Sequence, residues 1–248
     1  MTHATLAAAN AARWHRAVLT KDAAFAAAAQ KLMAAKARYA AVAAETGVPW
    51  FVIAVIHHRE SAGDFRGILH NGERIIGTGR KTTLVPKGHG PFASWEAAAV
   101  DALVNCHPYA ARNTDWSVGG TLTLIERYNG LGYFSRGLPS PYLWAGTDQY
   151  AKGKYVRDGV FDASAVDGQL GCAGLLMALQ RLDPTIRFAD APGGPLAPAV
   201  ATATAVVAGA AVPAAASAMS WPALATAAGL VAVAALAAWL IWRARRKH

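Results

Sequence analysis

Cysteine is nearly absent from the 248-residue chain: only Cys106 and Cys172 occur. That excludes a disulfide scaffold and any four-cysteine zinc module. Charge is scarce too, at 16% of residues against roughly 25% in an ordinary soluble domain. With 54% hydrophobic residues, such a chain is not disordered, and it carries neither a collagen-like period nor an internal repeat. Acidic residues are the scarcer sign, 15 against 24 basic ones, for a net charge of +9. Arg243, Arg245, Arg246 and Lys247 hold four of those positive charges at the end of the chain. The body is therefore moderately basic and suited to an anionic polymer or surface, although charge alone does not say which. What is abundant is alanine, which favours helix by propensity.

Residues 191–242 contain no charged side chain. Within them, residues 221–242 are dense in Ala, Leu, Val and Trp, and as a helix they would reach roughly 33 Å, enough to cross a hydrocarbon core. Trp221 at one end and Trp239 with Trp242 at the other suit the two interfaces. The basic tail at 243–248 places that end in the cytoplasm by the positive-inside rule. A C-terminal transmembrane helix is the expectation. Residues 191–220, Ala- and Pro-rich, read as a linker, although 196–212 is apolar enough for a short second span. The first 20 residues lack the basic start and continuous apolar core of a secretory signal. A single span with the body outside is preferred; a two-span hairpin stays open.

Ahead of the tail the pattern is helical. Lys21 to Glu45 reads as one long helix, opened by Thr20 as N-cap with Asp22 in the first turn. Residues 1–46 form an N-terminal helical segment ahead of a domain at 47–190. Gly47 ends the long helix, and Pro49 opens the next, Trp50 to Ser61. Residues 70–94 alternate Gly-rich turns with short β-branched runs, which predicts small β-hairpins. Helices are expected again at Trp95–Asn105, capped by Ser94, at Gly120–Tyr128, and at Gly171–Leu182, stopped by Asp183-Pro184. The class is mostly α, an α+β domain with a small β-hairpin insertion.

The segment richest in chemistry is IAVIHHRESAGDF, residues 53–65. Ile53 and Ile56 precede Glu60 by seven and four positions, so all three share one helical face. A carboxyl at the end of an apolar face is partly desolvated and holds its proton near neutral pH. Glycosidic cleavage needs such an acid beside the leaving oxygen. A glutamate at a helix C-terminus is by itself commonplace, so its neighbours must decide. Glu60-Ser61, then Phe65, a Gly-rich insertion and the turn Glu126-Arg127-Tyr128-Asn129-Gly130 together resemble the lysozyme superfamily. The likeness is to goose-type lysozymes, lytic transglycosylases and bacteriophage endolysins, and it covers residues 47–180. It implies a lysozyme-like fold acting on peptidoglycan glycan strands without a cofactor. Glu60 would be the catalytic acid, Ser61 would orient it, and Tyr128 and Asn129 would bind the sugar, with Phe65 part of the same motif.

A second carboxylate is not singled out. Asp64 and Glu73 are candidates, and Asp101 reads as structural. An inverting hydrolase needs a base across the bond, whereas a lytic transglycosylase uses the muramic C6 hydroxyl; both routes stay open. Thr78, Thr82 and Thr83 are candidates to position a water or the N-acetyl group. Tyr133, Phe134, Tyr142, Trp144, Tyr150 and Tyr155 crowd a Gly- and Pro-rich stretch that suits sugar stacking, with Tyr142 and Trp144 expected in the core. Lys152, Lys154 and Arg157 beside them suit substrate carboxylates. His57, His58 and Glu60 offer an H-x-x-E pair that His70 and His89 could complete as a metal site, but there is no HExxH, His57 and Glu60 alone make a poor zinc set, and no metal is expected. Cys106 next to His107 does not present a thiol to its base, and Cys172 reads as a helix-packing residue.

These readings converge on a muramidase that cuts the β-1,4 bond between N-acetylmuramic acid and N-acetylglucosamine, serving bacteriophage lysis or entry, or host wall remodelling. It would be carried on a single-pass inner-membrane anchor with its body facing the periplasm, and nucleic acid is not an expected partner. The competing class is a non-catalytic wall-binding or holin-like protein, which has no need of Glu60.

Overall fold

Nine α-helices, a 3-10 turn at Ala110–Arg112 and one two-stranded antiparallel sheet make up the regular structure among residues 2–190, the part of the chain that the computed structural model describes. The predicted linker, span and basic tail at 191–248 lie outside the described residues. Helices α1 (His3–Arg16), α2 (Asp22–Ala34) and α3 (Lys36–Thr46) lead into α4 (Trp50–Ser61). A turn-rich segment then precedes α5 (Trp95–Asn105) and α6 (Val118–Asn129). Two short helices follow, α7 (Gly132–Ser135) and α8 (Pro141–Trp144). The hairpin of β1 (Lys154–Arg157) and β2 (Val160–Asp162) and the last helix, α9 (Cys172–Leu182), complete the described chain. Among the described residues no single helix is long and apolar enough to cross a membrane.

The run WFVIAVIHHRES has apolar residues on every side, and a helix of that kind must be surrounded. Helix α4 is: Val52 to Ile56 are fully buried, and α2, α3, α6 and α9 pack around it. Each such aliphatic side chain contributes about 1.5–3 kcal/mol on burial, so α4 is the spine of the domain and its C-terminal end is rigidly placed. Helix α1 lies on α6, where Gly119 admits it: a methyl there would stand 2.6 Å from the Ala7 carbonyl oxygen. Helix α2 lies on α9, with Phe25 seated against Gly174.

Two expectations about local structure need correction. The predicted helix Lys21–Glu45 is two helices, broken at Ala35, whose N–H turns back to the Leu32 and Met33 carbonyls, and its cap position falls on Lys21 rather than Thr20, with no side chain bonding the first turn. The break lets α2 face α9 while α3 faces α4 and α5. The hairpin is not at 70–94. Glycines with positive φ at 77, 79, 88 and 90 turn the chain too often there for a strand to run. One isolated bridge joins Gly67 and Arg74. The Glu73 carboxylate takes the place of a ladder by accepting the N–H groups of Thr83 at 3.0 Å and Leu84 at 3.1 Å. The strands are instead β1 and β2, joined through Asp158-Gly159. Elsewhere the sequence signals hold: α5 runs from Trp95 to Asn105 with Ser94 as cap. Helix α6 starts two residues early, with Ser117 Oγ accepting the Gly120 N–H.

Candidate active site

Helix α4 ends in a left-handed residue, Ala62, and the Ser61 hydroxyl folds back onto the carbonyls of His57 and Asp64. The turn-rich segment closes over this end. A methyl at Gly67 would sit 2.6 Å from Ser61 Cβ, and one at Gly72 would overlap the Glu60 carbonyl oxygen. Gly72→Ala is therefore expected to cost about 1–3 kcal/mol by overpacking, beyond the roughly 1–2 kcal/mol of a positive φ. Urea unfolding checks it against Gly79→Ala, where φ is also positive but a methyl meets nothing. Equal losses at the two sites would mean that the segment does not lock the Glu60 backbone.

The Glu60 side chain is half-buried and opens into a cleft of about 630 Å³. Burial raises its pKa to about 7, outweighing two groups that favour the carboxylate: the Tyr142 hydroxyl, which donates to Oε1 at 2.6 Å, and the nearby Arg59 charge. Tyr142 is itself buried on α8. A carboxyl that keeps a proton up to about neutral pH, fixed by a phenol and reaching into a cleft, is a general acid in form.

The rest of the cleft comes from three places. Arg59, also at the end of α4, is buried and ion-paired with Asp167, and its Nη1 has no protein partner. Asn129 and Gly130 at the end of α6, with Tyr133 of α7, form one side. The hairpin forms another with Lys154, Tyr155, Arg157 and Asp158. Tyr133, Tyr155 and Phe161 meet edge to face, with ring centroids 5.1–6.4 Å apart, which holds the hairpin against α7. Lys154 Nζ lies 3.6 Å from Asp167, so the cleft holds three cations and two carboxylates besides Glu60. Its field favours a ligand that carries negative charge.

The structure brings together only part of the predicted set. Glu60 and Asn129 line the cleft, as do Tyr133, Tyr142, Tyr155, Lys154 and Arg157. Tyr128 is beside Glu60's end of α4, but its hydroxyl is used on the Leu69 carbonyl at 2.9 Å. Ser61 braces the helix end rather than touching the Glu60 carboxyl. Phe65 stacks among Tyr39, His57 and Trp95, under the Arg38 guanidinium at 3.7 Å. Asp64 is held by Arg66 at 2.9 Å and Arg74 at 3.0 Å, and those guanidinium groups keep its carboxyl down at about 2. Glu73 lines a separate cavity with Arg74 and Arg80 and is used up in its own loop. Thr78 donates to Ile75 O, Thr82 to Pro86 O and Thr83 to Glu73. None of these lines the cleft.

His57 does not converge with Glu60 either: its ring contacts the Tyr39 hydroxyl at 2.9 Å and the Asp64 carbonyl at 3.2 Å. Trp144 is fully buried, and Cys172 packs in the core against Val55. Sequence reasoning missed Arg59, Asp158 and Asp167, and it placed Tyr142 in the core without its second role. The signal available for the hairpin residues was the Asp158-Gly159 pair between KYVR and VFD. No family model, curated protein or solved structure matches this chain.

Proposed function

We propose that the chain is a peptidoglycan-degrading enzyme of lysozyme-like type, with Glu60 as the general acid that protonates the leaving glycosidic oxygen. The observation that carries this reading is the Glu60 carboxyl, raised to about 7 by burial and hydrogen-bonded by Tyr142 at the floor of an open cleft. A module that only gripped glycan would gain nothing from a desolvated acid there. The aromatic wall of Tyr133 and Tyr155 suits sugar faces, and Lys154 and Arg157 suit the lactyl or peptide carboxylates of muramic acid.

Attack at the anomeric carbon is assigned to the substrate's own C6 hydroxyl. The expected helpers Asp64 and Glu73 are engaged elsewhere. Asp167 is bound to Arg59 and Lys154, and Asp158 stands exposed on the hairpin turn. The Glu60 proton goes to the leaving oxygen, the C6 hydroxyl oxygen bonds to C1, and the hydroxyl proton returns to Glu60. Mass analysis of muropeptides released from purified sacculi tests this: 1,6-anhydro ends are expected, with Asp158→Asn still active. Reducing ends together with an inactive Asp158→Asn would give the base role to Asp158 and make the enzyme a hydrolase. Delivery to the wall by the hydrophobic segment at 221–242, at the inner membrane of a phage-infected or phage-free bacterium, belongs to the same proposal.

A further inference from the structure

On the far side of the Tyr128-Asn129 turn, four side chains of metal-binding type converge outside the catalytic cleft. His70, His89, Asp101 and Cys106 each offer one ligand atom, and these atoms all lie within 4.8 Å of one another. Asp101 Oδ2 is the hub, 2.9 Å from His70 Nε2 and 2.7 Å from His89 Nδ1. Cys106 Sγ is 3.7 Å from the same His89 nitrogen. A tetrahedral zinc with bonds of about 2.0–2.3 Å sets its ligands roughly 3.3–3.8 Å apart. The two carboxylate contacts need to open by about half an ångström to admit the ion, the wider pairs, up to 4.8 Å, need to close, and the His89 ring needs to turn, since Cys106 Sγ stands 3.7 Å from both of its nitrogens. Two imidazoles, a thiolate and a carboxylate select zinc over magnesium or calcium, which take all-oxygen shells.

The surroundings hold the ligands in place. Asn105 Nδ2 donates to Asp101 Oδ1 at 2.8 Å, which leaves Oδ2 turned to the histidines. His70 stacks on Phe92, with ring centroids 5.4 Å apart. His89 is tied through its backbone N–H to Thr82 Oγ1 at 3.0 Å. Such outer contacts are what orient metal ligands. A cavity of about 590 Å³, lined by His70, His89 and Cys106 among others, gives an ion its way in.

The placement in the chain gives the site a purpose. His70 and His89 belong to the long segment between α4 and α5, which has no strand, gives Leu69 to the main core, and otherwise rests on a small cluster of Ile68 and Ile75 with Ala98 of α5. Asp101 lies on α5, and Cys106 is its C-cap. A segment with so little apolar burial gains most from a metal clip. We propose that His70, His89, Asp101 and Cys106 form a structural zinc site that pins the segment 62–94 to the C-terminal end of α5. On binding, the Cys106 sulfur bonds to zinc and its proton passes to solvent. All four positions are taken by protein, so the ion is closed to substrate and plays no part in Glu60's proton transfer.

Titration of the purified full chain with zinc chloride, followed by metal analysis after dialysis, should find one zinc per chain and a raised Tm. Cobalt chloride should give the thiolate-to-cobalt charge-transfer band in the near ultraviolet. Cys106→Ser should abolish that band, and His89→Gln should weaken binding by more than the roughly 10–100-fold that loss of an outer-shell partner costs. Glu60→Gln should take up zinc as the wild type does, because its cleft is a different one. If Cys106→Ser fails to fold by circular dichroism, His89→Gln, at a half-buried position, decides alone. No saturable zinc uptake, or an unchanged affinity and spectrum in the folded variants, would overturn the proposal.

Discussion

Glu60→Gln is expected to fold like the wild type and to lose roughly 10²–10⁴-fold in wall-clearing rate, the usual worth of a positioned general acid. The amide fills the same space and can still accept the Tyr142 hydroxyl bond, but it has no proton to give. The wild-type rate should fall as pH rises through about 7, because that is where burial places the Glu60 carboxyl, and this limb should be missing from whatever activity remains in the variant. Stability should move the other way. Unfolded, the carboxyl titrates near 4.5; folded, near 7. Between those values the native state holds a proton that the unfolded chain has lost, so native stability declines as pH climbs through that window. Above it the buried charge costs on the order of 1–3 kcal/mol. Glu60→Gln should thus be more stable than wild type at pH 8 and equal to it at pH 4, by urea unfolding. A well-folded variant with full activity would end the assignment of Glu60.

The second large effect concerns the pair beneath the site. Asp167→Ala is expected to cost about 3–5 kcal/mol, because it strands the buried Arg59 guanidinium without its counter-charge. Both side chains are nearly inaccessible, at 6% and 3% exposure. Burial by itself would raise the Asp167 carboxyl; the Arg59 charge and the Gln169 N–H reverse that and hold it below the ordinary carboxylate range. The pair's contribution is accordingly present above about pH 4 and is lost as pH falls through the depressed folded value. Replacing both partners, Arg59→Met with Asp167→Leu, should recover most of the loss while leaving the cleft short of a cation. Urea midpoints at pH 7 for the two chains check this. A loss under about 1 kcal/mol in Asp167→Ala would mean that water reaches the pair as it does at a surface.

Much of this was legible in the residues, and the exceptions have physical reasons. Glu60 was visible because an all-apolar helix that stops at a carboxylate leaves its last turn at the edge of the core. Helix α5 was visible because Ser94 caps it and its apolar positions recur at helical spacing. The break at Ala35 left no trace, since alanine is as good a helix former there as its neighbours; tertiary packing of α2 and α3 on different partners makes the bend. The segment 70–94 was misread because its β-branched residues are strand formers by propensity, while its glycines turn the backbone out of any strand. The true hairpin advertised itself through Asp158-Gly159, but its short strands carry exposed Val156 and Val160 and no alternating core face. Tyr142 shows the deepest limit. Composition predicted a buried ring correctly, yet that its hydroxyl meets a carboxylate 82 positions away is a fact of folding alone.

The seating of α1 on α6 has a consequence for how the chain is made. Asn10, buried in α1, donates to Glu126 on α6 across 116 positions at 3.1 Å, and Trp14 meets Phe188 edge to face. Ser117, which caps α6, is bridged in turn to Ala189. The first helix synthesised therefore has no resting place until α6 is made, and its Trp14 contact waits longer still, for Phe188. A nascent chain that ends short of residue 189 lacks the Ser117–Ala189 bridge, so the last of these contacts forms only when the two ends of the domain meet.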